Sequence, residues 1–165
     1  MEDIDLLDEE TLYQSDEEQF FLFYISQQVY ALEALYVSEI VEYQTYTKVP
    51  NLSPFILGVT NIRGHIIGVL DFAQRCGLDK NELTHKSSFV VLKYKEQDIA
   101  LLIDEIYEVD GFSEEMRQAS PEFGTAIESR FINNIVTYRD KNIFLLNIEE
   151  LLNMQELSTE VLTNG

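Results

Sequence analysis

The feature that most constrains this chain is a series of short apolar runs, each rich in β-branched and aromatic residues and bounded by polar or glycine-containing turns. The runs are 20–25, 29–35, 66–72, 89–94, 99–106, 131–138 and 143–148. Because they are almost continuously apolar rather than alternating, we expect strands that are covered on both faces or curled into barrels. The polar stretches 95–98 and 139–142 predict two equivalent hairpin turns, which indicates two similar β units. The fold class is therefore all-β with minor helices.

Helical segments are few. The stretches 36–41 and 72–78 each predict a single turn, and 54–58 predicts another that begins with a proline and has Ser53 as its N-cap. A C-terminal helix is expected after Asn147, because four apolar residues share one face at helical spacing. These residues are Ile148, Leu151, Leu152 and Leu157.

The charge of the chain limits its partners. Thirty acidic residues stand against eleven basic ones, and the formal net charge of -19 repels phosphates and anionic lipid. We therefore expect no nucleic-acid partner and no direct membrane insertion. Residues 1–19 hold nine acids and no base, which predicts a disordered acidic arm. The single cysteine, Cys76, and the lack of a basic leader favour a soluble cytoplasmic protein.

Motifs that would carry catalysis are missing from the sequence. It contains neither a glycine-rich phosphate loop nor a nucleophile elbow, and its two histidines, His65 and His85, lie far apart. Cys76 follows Arg75, but its apolar neighbours favour a buried small side chain over a reactive thiol. The sequence therefore predicts no catalytic residue, no cofactor and no metal site.

The stretch 58–71 places Asn61 and Arg63 inside otherwise apolar strand sequence. A buried arginine requires a partner, and Glu39 is positioned upstream to supply the carboxylate. Such a pair beside exposed apolar residues would make a recognition surface. The alternative is an ordinary surface ion pair worth about 0–1 kcal/mol. The residues alone leave both interpretations open.

The same stretch resembles the signature strand pair of the CheW family, the coupling proteins of bacterial chemotaxis. The resemblance extends in order through 21–42, 49–58, 103–109, 120–123 and 143–152. The chain departs from the family pattern at Gly68, where the family usually has proline, and at Asn133–Asn134, where it usually has glycine.

The resemblance implies two interlocked SH3-like five-stranded β-barrels plus a C-terminal helix. Residues 20–157 would form this CheW-like domain with its two barrel subdomains, and 158–165 a flexible tail. The implied function is that of a non-catalytic adaptor, mainly a monomer when free, and recruited to membrane receptor arrays through protein contacts. It would couple the cytoplasmic tip of a chemoreceptor to the regulatory domain of a CheA-type histidine kinase.

The resemblance also implies the sites. The receptor-binding residues would be Val37, Glu39, Ile40, Arg63 and Val91, with the strand 89–92 of the second barrel as a wall of the groove. The kinase-binding residues would be Val49, Asn51 and Phe55. Two alternatives stay open at this point. One is a diverged CheW-like scaffold for another pathway such as pilus motility, and the other is a small β-barrel ligand-binding protein or enzyme.

Overall fold

The computed structural model of the protein describes residues 17–50, 53–79, 82–121, 124–153 and 157. Within these ranges the chain forms eleven strands. They are β1 (Glu18–Ile25), β2 (Gln28–Glu33), β3 (Val37–Glu42), β4 (Ile56–Ile62), β5 (His65–Asp71), β6 (Ser88–Tyr94), β7 (Gln97–Ile103), β8 (Glu105–Phe112), β9 (Arg117–Ala119), β10 (Ile132–Tyr138) and β11 (Lys141–Leu146). Two short helices follow strands, α1 (Phe72–Arg75) and α2 (Ile148–Leu151). The predicted all-β class with minor helices is confirmed.

The strands form two interlocked sheets. One has six strands in the order β8-β1-β2-β11-β10-β9, and the other has five in the order β3-β6-β7-β5-β4. The chain leaves the six-stranded sheet after β2, builds the whole five-stranded sheet, and then returns with β8. Apart from β8, the two sheets show the same succession of antiparallel and parallel pairs when they are read from opposite edges, with one parallel pair each, β2 with β11 and β5 with β7. The prediction of two similar β units is confirmed, although one sheet carries six strands instead of five.

The two edges of the five-stranded sheet are joined by the segment that follows β3. The amide of Tyr43 donates to the carbonyl oxygen of Ser87 at 3.1 Å, which extends the pairing of β3 with β6. A few residues later Thr47 pairs with Val59 of β4 through two backbone hydrogen bonds of 2.8 Å. The segment 43–47 therefore curls the sheet around its own interior.

Three apolar clusters explain why the strand sequences are almost continuously apolar. One cluster lies inside the five-stranded sheet and is formed by Ile62, Ile67, Val69, Phe89, Val91, Ala100 and Leu102. A second lies inside the six-stranded sheet and is formed by Phe20, Leu22, Val29, Ala31, Phe112, Val136, Ile143 and Leu145. The third and largest joins the outer faces of both sheets and includes Phe21, Phe23, Leu70, Phe72, Leu101 and Leu151. Alternate residues of β1 thus point into different clusters, so both of its faces are buried.

Two helix predictions are wrong. Residues 36–41, predicted as a helical turn, form the end of a 3-10 turn (Ala34–Tyr36) followed by β3. β-Branched valine and isoleucine favour the extended strand there. Residues 54–58 form a turn at Pro54 that leads directly into β4. The amide of Ile56 donates to the carbonyl of Ser53 at 3.0 Å, so Ser53 supports a turn rather than a helix.

The other two helix predictions are confirmed in part of their range. Helix α1 is shorter than the predicted turn at 72–78, because Gly77 adopts a φ of 80° and the amide of Leu78 donates to the carbonyl of Ala73. Helix α2 begins, as predicted, directly after its N-cap Asn147, whose side-chain oxygen accepts a hydrogen bond of 3.1 Å from the amide of Glu150. Leu157 is buried, as the predicted apolar face requires.

Several other sequence features can be placed. Cys76 is 3% exposed, and burial raises the pKa of its thiol to about 12 although Arg75 opposes this shift. Strand β1 begins at Glu18, so the last two residues of the predicted acidic arm lie in a strand. Residues 1–16 and 158–165 lie outside the described residues. Among the described residues, no helix is long and apolar enough to cross a bilayer.

Candidate docking surface

The hairpin of β4 and β5 ends in a two-residue turn that presents Arg63 to solvent. Arg63 and Gly64 have φ values of 53° and 87°, the pattern of a type I′ turn. The side-chain oxygen of Asn61 accepts a hydrogen bond of 2.9 Å from the amide of Gly64 and supports this conformation. The interpretation of Arg63 as a residue buried inside a strand is therefore wrong, because the chain turns at this residue.

Arg63 nevertheless contacts the predicted carboxylate. Its Nε lies 3.0 Å from each carboxylate oxygen of Glu39. The side chains are 74% and 28% exposed, respectively, so the pair lies at the surface, with the carboxylate held against the protein and the guanidinium in water. An exposed pair of this kind contributes about 0–1 kcal/mol to folding. Its geometry places a fixed cation at the rim of the five-stranded sheet at little energetic cost.

Strand β3 places apolar side chains next to this ion pair. Val37 is half-buried and packs against the large cluster between the sheets, whereas Ile40 is 39% exposed. β3 is an edge strand of its sheet, and its residues alternate between half-buried and exposed positions. Val37, Glu39, Ile40 and Arg63 together form what we call the edge surface. It combines apolar contact area with one oriented ion pair.

The structure places one predicted receptor-binding residue away from this surface. Val91 is only 3% exposed and belongs to the cluster inside the five-stranded sheet. It is the register partner of Glu39, so it supports the edge surface from within and offers no surface of its own. The whole strand segment 89–92 is buried and lies in the same sheet as Glu39 and the β4–β5 hairpin that carries Arg63, which corrects the prediction that it forms a wall in a second barrel.

The predicted kinase-binding residues follow the segment 43–47, which joins the two edges of the five-stranded sheet. Val49 is 39% exposed, two residues beyond the paired Thr47. Phe55 is half-buried, and the guanidinium carbon of Arg75 lies 4.7 Å from its ring centroid. Asn51 lies outside the described residues.

Two exposed apolar residues near the edge surface were missed by the sequence analysis. Leu35 is 71% exposed in the turn before β3, and Ile66 is 68% exposed near the start of β5. Both lie in apolar runs, where the runs alone do not tell which face is covered. In the sequence Ile66 is followed directly by Ile67, so no alternation separates the exposed residue from the buried one.

Two uncharged phenols flank the strand of the edge surface in the chain, Tyr36 before β3 and Tyr43 after it. Burial, reinforced by the charge of Glu33, raises the pKa of Tyr36 above its ordinary range, so this phenol stays neutral. Burial likewise raises the pKa of Tyr43, which stacks at a tilt on Phe89. In the described part of the chain no group of three or more histidine, cysteine, aspartate or glutamate side chains is arranged to hold a metal ion.

The fold and the site together define a class of protein: two interlocked β lobes of like topology, filled with apolar side chains, with an exposed strand edge that carries apolar residues and an ion pair. The family model described as CheW-like domain matches residues 19–156. The chain belongs to this family of chemotaxis scaffold and adaptor proteins.

Individual relatives agree with this assignment. The chemotaxis protein CheW of Klebsiella aerogenes is 24% identical over 141 residues, which is 86% of this chain and 85% of the relative. The probable chemotaxis protein CheW of Rhizobium etli is 27% identical over 88% of this chain and 94% of its own length. The crystal structure of the scaffolding protein TtCheW from Thermoanaerobacter tengcongensis superposes with a TM-score of 0.74, 28% identity, and coverage of 82% of this chain and 87% of that one. Protein PilI of Pseudomonas aeruginosa is 26% identical over 48% of each chain.

Proposed function

We propose that this protein is a non-catalytic adaptor that couples chemoreceptors to a CheA-type histidine kinase. The observation that carries the proposal is the edge surface, an exposed strand edge with a fixed ion pair on a fold of the CheW-like family. The adaptor would be cytoplasmic and would reach membrane receptor arrays only through protein contacts.

The chemistry of the edge surface suits the cytoplasmic tip of a receptor, which is a pair of amphipathic helices. An apolar helix face would cover Val37 and Ile40 and supply most of the affinity. The ion pair of Glu39 and Arg63 would interact with polar groups at the margin of that face. Charged groups at the rim of an interface contribute more to register and association rate than to affinity, so the pair would orient the helices.

The kinase would bind to a different part of the same lobe. Val49 and Phe55 lie after the segment that closes the five-stranded sheet, whereas the edge surface lies on β3 and the β4–β5 turn. Two separate contact regions allow one adaptor to hold receptor and kinase at the same time. The sequence match to CheW-named relatives over most of their length supports this arrangement.

Purified receptor signalling fragments, kinase and this protein test the proposal in a reconstituted kinase assay. We expect receptor-dependent kinase activity only when the adaptor is present, and a marked loss with Arg63→Ala or Val37→Asp. Arg139→Ala is the matched control. Arg139 occupies the turn between β10 and β11 with a φ of 51°, and it pairs with Glu108 at 3.0 Å with side-chain exposures of 61% and 25%. Equal activity of the Arg63 and Arg139 variants would rule out the assigned receptor site.

A second candidate is a CheW-like scaffold that serves a pathway other than chemotaxis, such as pilus motility, and the partial match to protein PilI is the observation in its favour. Binding of a kinase without restored receptor control would support this candidate. The third alternative, a small ligand-binding protein or enzyme, gains no support from the lobe interiors, since apolar side chains fill both of them.

A further inference from the structure

The N-terminal segment leaves the fold at a fixed point beside the edge surface. Strand β1 begins at Glu18, whose carboxylate accepts a hydrogen bond of 3.2 Å from the Nη2 of Arg117. Two residues later, Phe20 is the register partner of Glu33, the last residue of β2. Glu33 leads directly through the turn Ala34–Tyr36 into β3. The segment 1–16 therefore joins the fold next to β3, the strand that carries most of the edge surface.

The turn Ala34–Tyr36 packs against the hairpin of β6 and β7. The rings of Tyr36 and Tyr94 meet edge to face with centroids 5.6 Å apart. Tyr94 ends β6, and both tyrosines are half-buried. Next to them in the chain, Leu35 has most of its side chain in water. The turn and the hairpin thus form one apolar surface.

Ile66 extends this apolar surface across the five-stranded sheet. β5 and β7 are parallel, with Gly68 beside Ile99, so the same register carried two residues back places Ile66 beside Gln97. Gln97 is in turn the partner of Tyr94. Leu35, Tyr36, Ile66 and Tyr94 are therefore neighbours around one end of the five-stranded sheet, and we call them the hairpin-end surface.

The charges around the hairpin-end surface differ from those of the chain as a whole. Lys93 and Lys95 are exposed on the hairpin, and the ammonium of Lys95 lies 5.3 Å from the ring centroid of Tyr94. Glu96 and Asp98 balance them, so the hairpin is neutral within a chain of net charge -19. On the hairpin an acidic segment finds two ammonium groups, whereas the carboxylates of Glu33 and Glu18 act on Tyr36 at the opposite side of the surface, where β1 begins.

Residues 1–16 have the composition that such a surface would bind. They are rich in acids and lack any base, and they also carry the apolar residues Ile4, Leu6, Leu7, Leu12 and Tyr13. Sixteen residues span up to about 50 Å when extended and about 24 Å as a helix, so the segment reaches the adjoining surface in either form. Because a short tether gives an effective concentration in the millimolar range, even a weak intrinsic affinity is sufficient for substantial occupancy.

We propose that residues 1–16 bind back onto the hairpin-end surface and shield the adjoining edge surface from its partner. The described surface, the place where the segment leaves the fold, and the composition of the segment support the binding itself. The regulatory consequence, an adaptor that partly masks its own receptor site, rests on the proposed function. An acidic apolar segment of this chain would then compete with the amphipathic helices of the receptor.

Amide chemical shifts of the full-length protein test the binding. One variant replaces the apolar residues with serine (Leu6→Ser, Leu7→Ser, Leu12→Ser and Tyr13→Ser), and a matched control changes polar positions of the same segment (Thr11→Ala, Gln14→Ala and Ser15→Ala). We expect the first variant to shift the amides of residues 35–36, 66 and 93–95, and the control to leave them in place. Unchanged shifts at the hairpin-end surface would overturn the proposal. Shift differences that grow with protein concentration would assign the surface to a second copy and would also overturn it.

The affinity of the same full-length proteins for a receptor-tip fragment tests the masking. Removing the apolar residues of the segment should raise the affinity by about 2- to 10-fold, because the binding-competent fraction increases. The control variant should bind like the wild type. Equal affinities of both variants would refute the masking. If no variant binds the fragment while the amide shifts still differ, the proposed receptor function fails and the intramolecular contact stands.

Discussion

Arg75 links the two lobes, and its replacement by methionine should destabilise the interface between them. Arg75 is 2% exposed, at the end of α1 in the five-stranded lobe. Its Nε and Nη2 donate hydrogen bonds of 2.8 and 2.7 Å to the carbonyl oxygens of Leu151 and Glu150 at the end of α2, which follows the six-stranded sheet. The guanidinium also lies 4.7 and 5.0 Å from the ring centroids of Phe55 and Phe131.

The size of the effect follows from these contacts. A hydrogen bond from a charged donor contributes about 1.5–3 kcal/mol. Arg75→Met removes this donor from the buried carbonyl oxygen of Leu151 and from the part-buried carbonyl oxygen of Glu150. Methionine avoids the desolvation of a buried guanidinium, which offsets part of the loss. We therefore expect the free energy of unfolding to fall by about 3–5 kcal/mol, which corresponds to a decrease in Tm of about 6–20 °C for a chain of this size.

Urea unfolding at neutral pH measures this change. The midpoint should fall while the m-value stays constant, because the surface exposed on unfolding is unchanged. Arg130→Met is the matched control. Arg130 also faces Phe131, at 4.3 Å, but it is partly exposed and bonds to the carboxylates of Glu128 and Glu150. The control should cost less than about 1 kcal/mol. An equally small cost for Arg75→Met would refute the reasoning that Arg75 fastens the lobes together.

Three further predictions concern single positions. Gly68→Ala should stabilise the fold by about 0.4–1 kcal/mol, because an added Cβ meets only ordinary contacts of 3.8–3.9 Å. Gly58→Ala should destabilise the fold strongly, because its Cβ would lie 2.2 Å from a backbone oxygen. Thermal unfolding should therefore show a higher Tm for the first variant and a lower Tm for the second. Burial, followed by the hydrogen bond and charge of Glu18, raises the pKa of Glu33 from 4.5 to about 7, so the protein loses stability as the pH rises through this range and the carboxyl ionises. Glu33→Gln should therefore raise Tm above pH 7 with little change below pH 4.5. Equal Tm shifts at both pH values would contradict this. Cys76 should resist thiol reagents in the native protein, because its pKa of about 12 keeps it a buried thiol; labelling as fast as in urea would contradict this.

The sequence predicts the central strands of the fold well and the edge strands poorly. Central strands such as β1 and β6 bury both faces, so they appear as continuous apolar runs. Strand β8 escaped detection because its sequence mixes acids with Ile106 and Val109, which are exposed at the edge of the six-stranded sheet. A run of apolar residues is a signal of two-sided burial, and an edge strand that faces water does not produce it.

The sequence predicts the contact between Glu39 and Arg63 but not the exposure of this pair to solvent. The spacing of Glu39 and Arg63 in the sequence cannot tell whether a pair is buried, because this depends on where the β4–β5 hairpin turns. A two-residue turn with positive φ at Arg63 moved the guanidinium to the surface. Asparagine, aspartate and glycine are the usual residues of such a turn, so an arginine at its first position gave a weak signal.

The remaining difference between prediction and structure at the site is the burial of Val91. Val91 lies in an apolar run, and both an exposed groove wall and a packed interior agree with such a run. The register of β3 with β6 decides the question, because it places Val91 opposite Glu39 on the face that encloses the interior cluster. Register depends on pairing between distant segments of the chain, which local sequence patterns do not specify.

The central claim is that the edge surface binds the helical tip of a receptor. Titration of the isotope-labelled full-length protein with a receptor-tip fragment, followed by amide chemical shifts, tests it most directly. We predict saturable shifts on β3 and the β4–β5 turn, a loss of binding in Val37→Asp, and a smaller weakening in Arg63→Ala that Arg139→Ala does not show. Shifts centred on the β10–β11 hairpin, or no saturable change at all, would contradict the account.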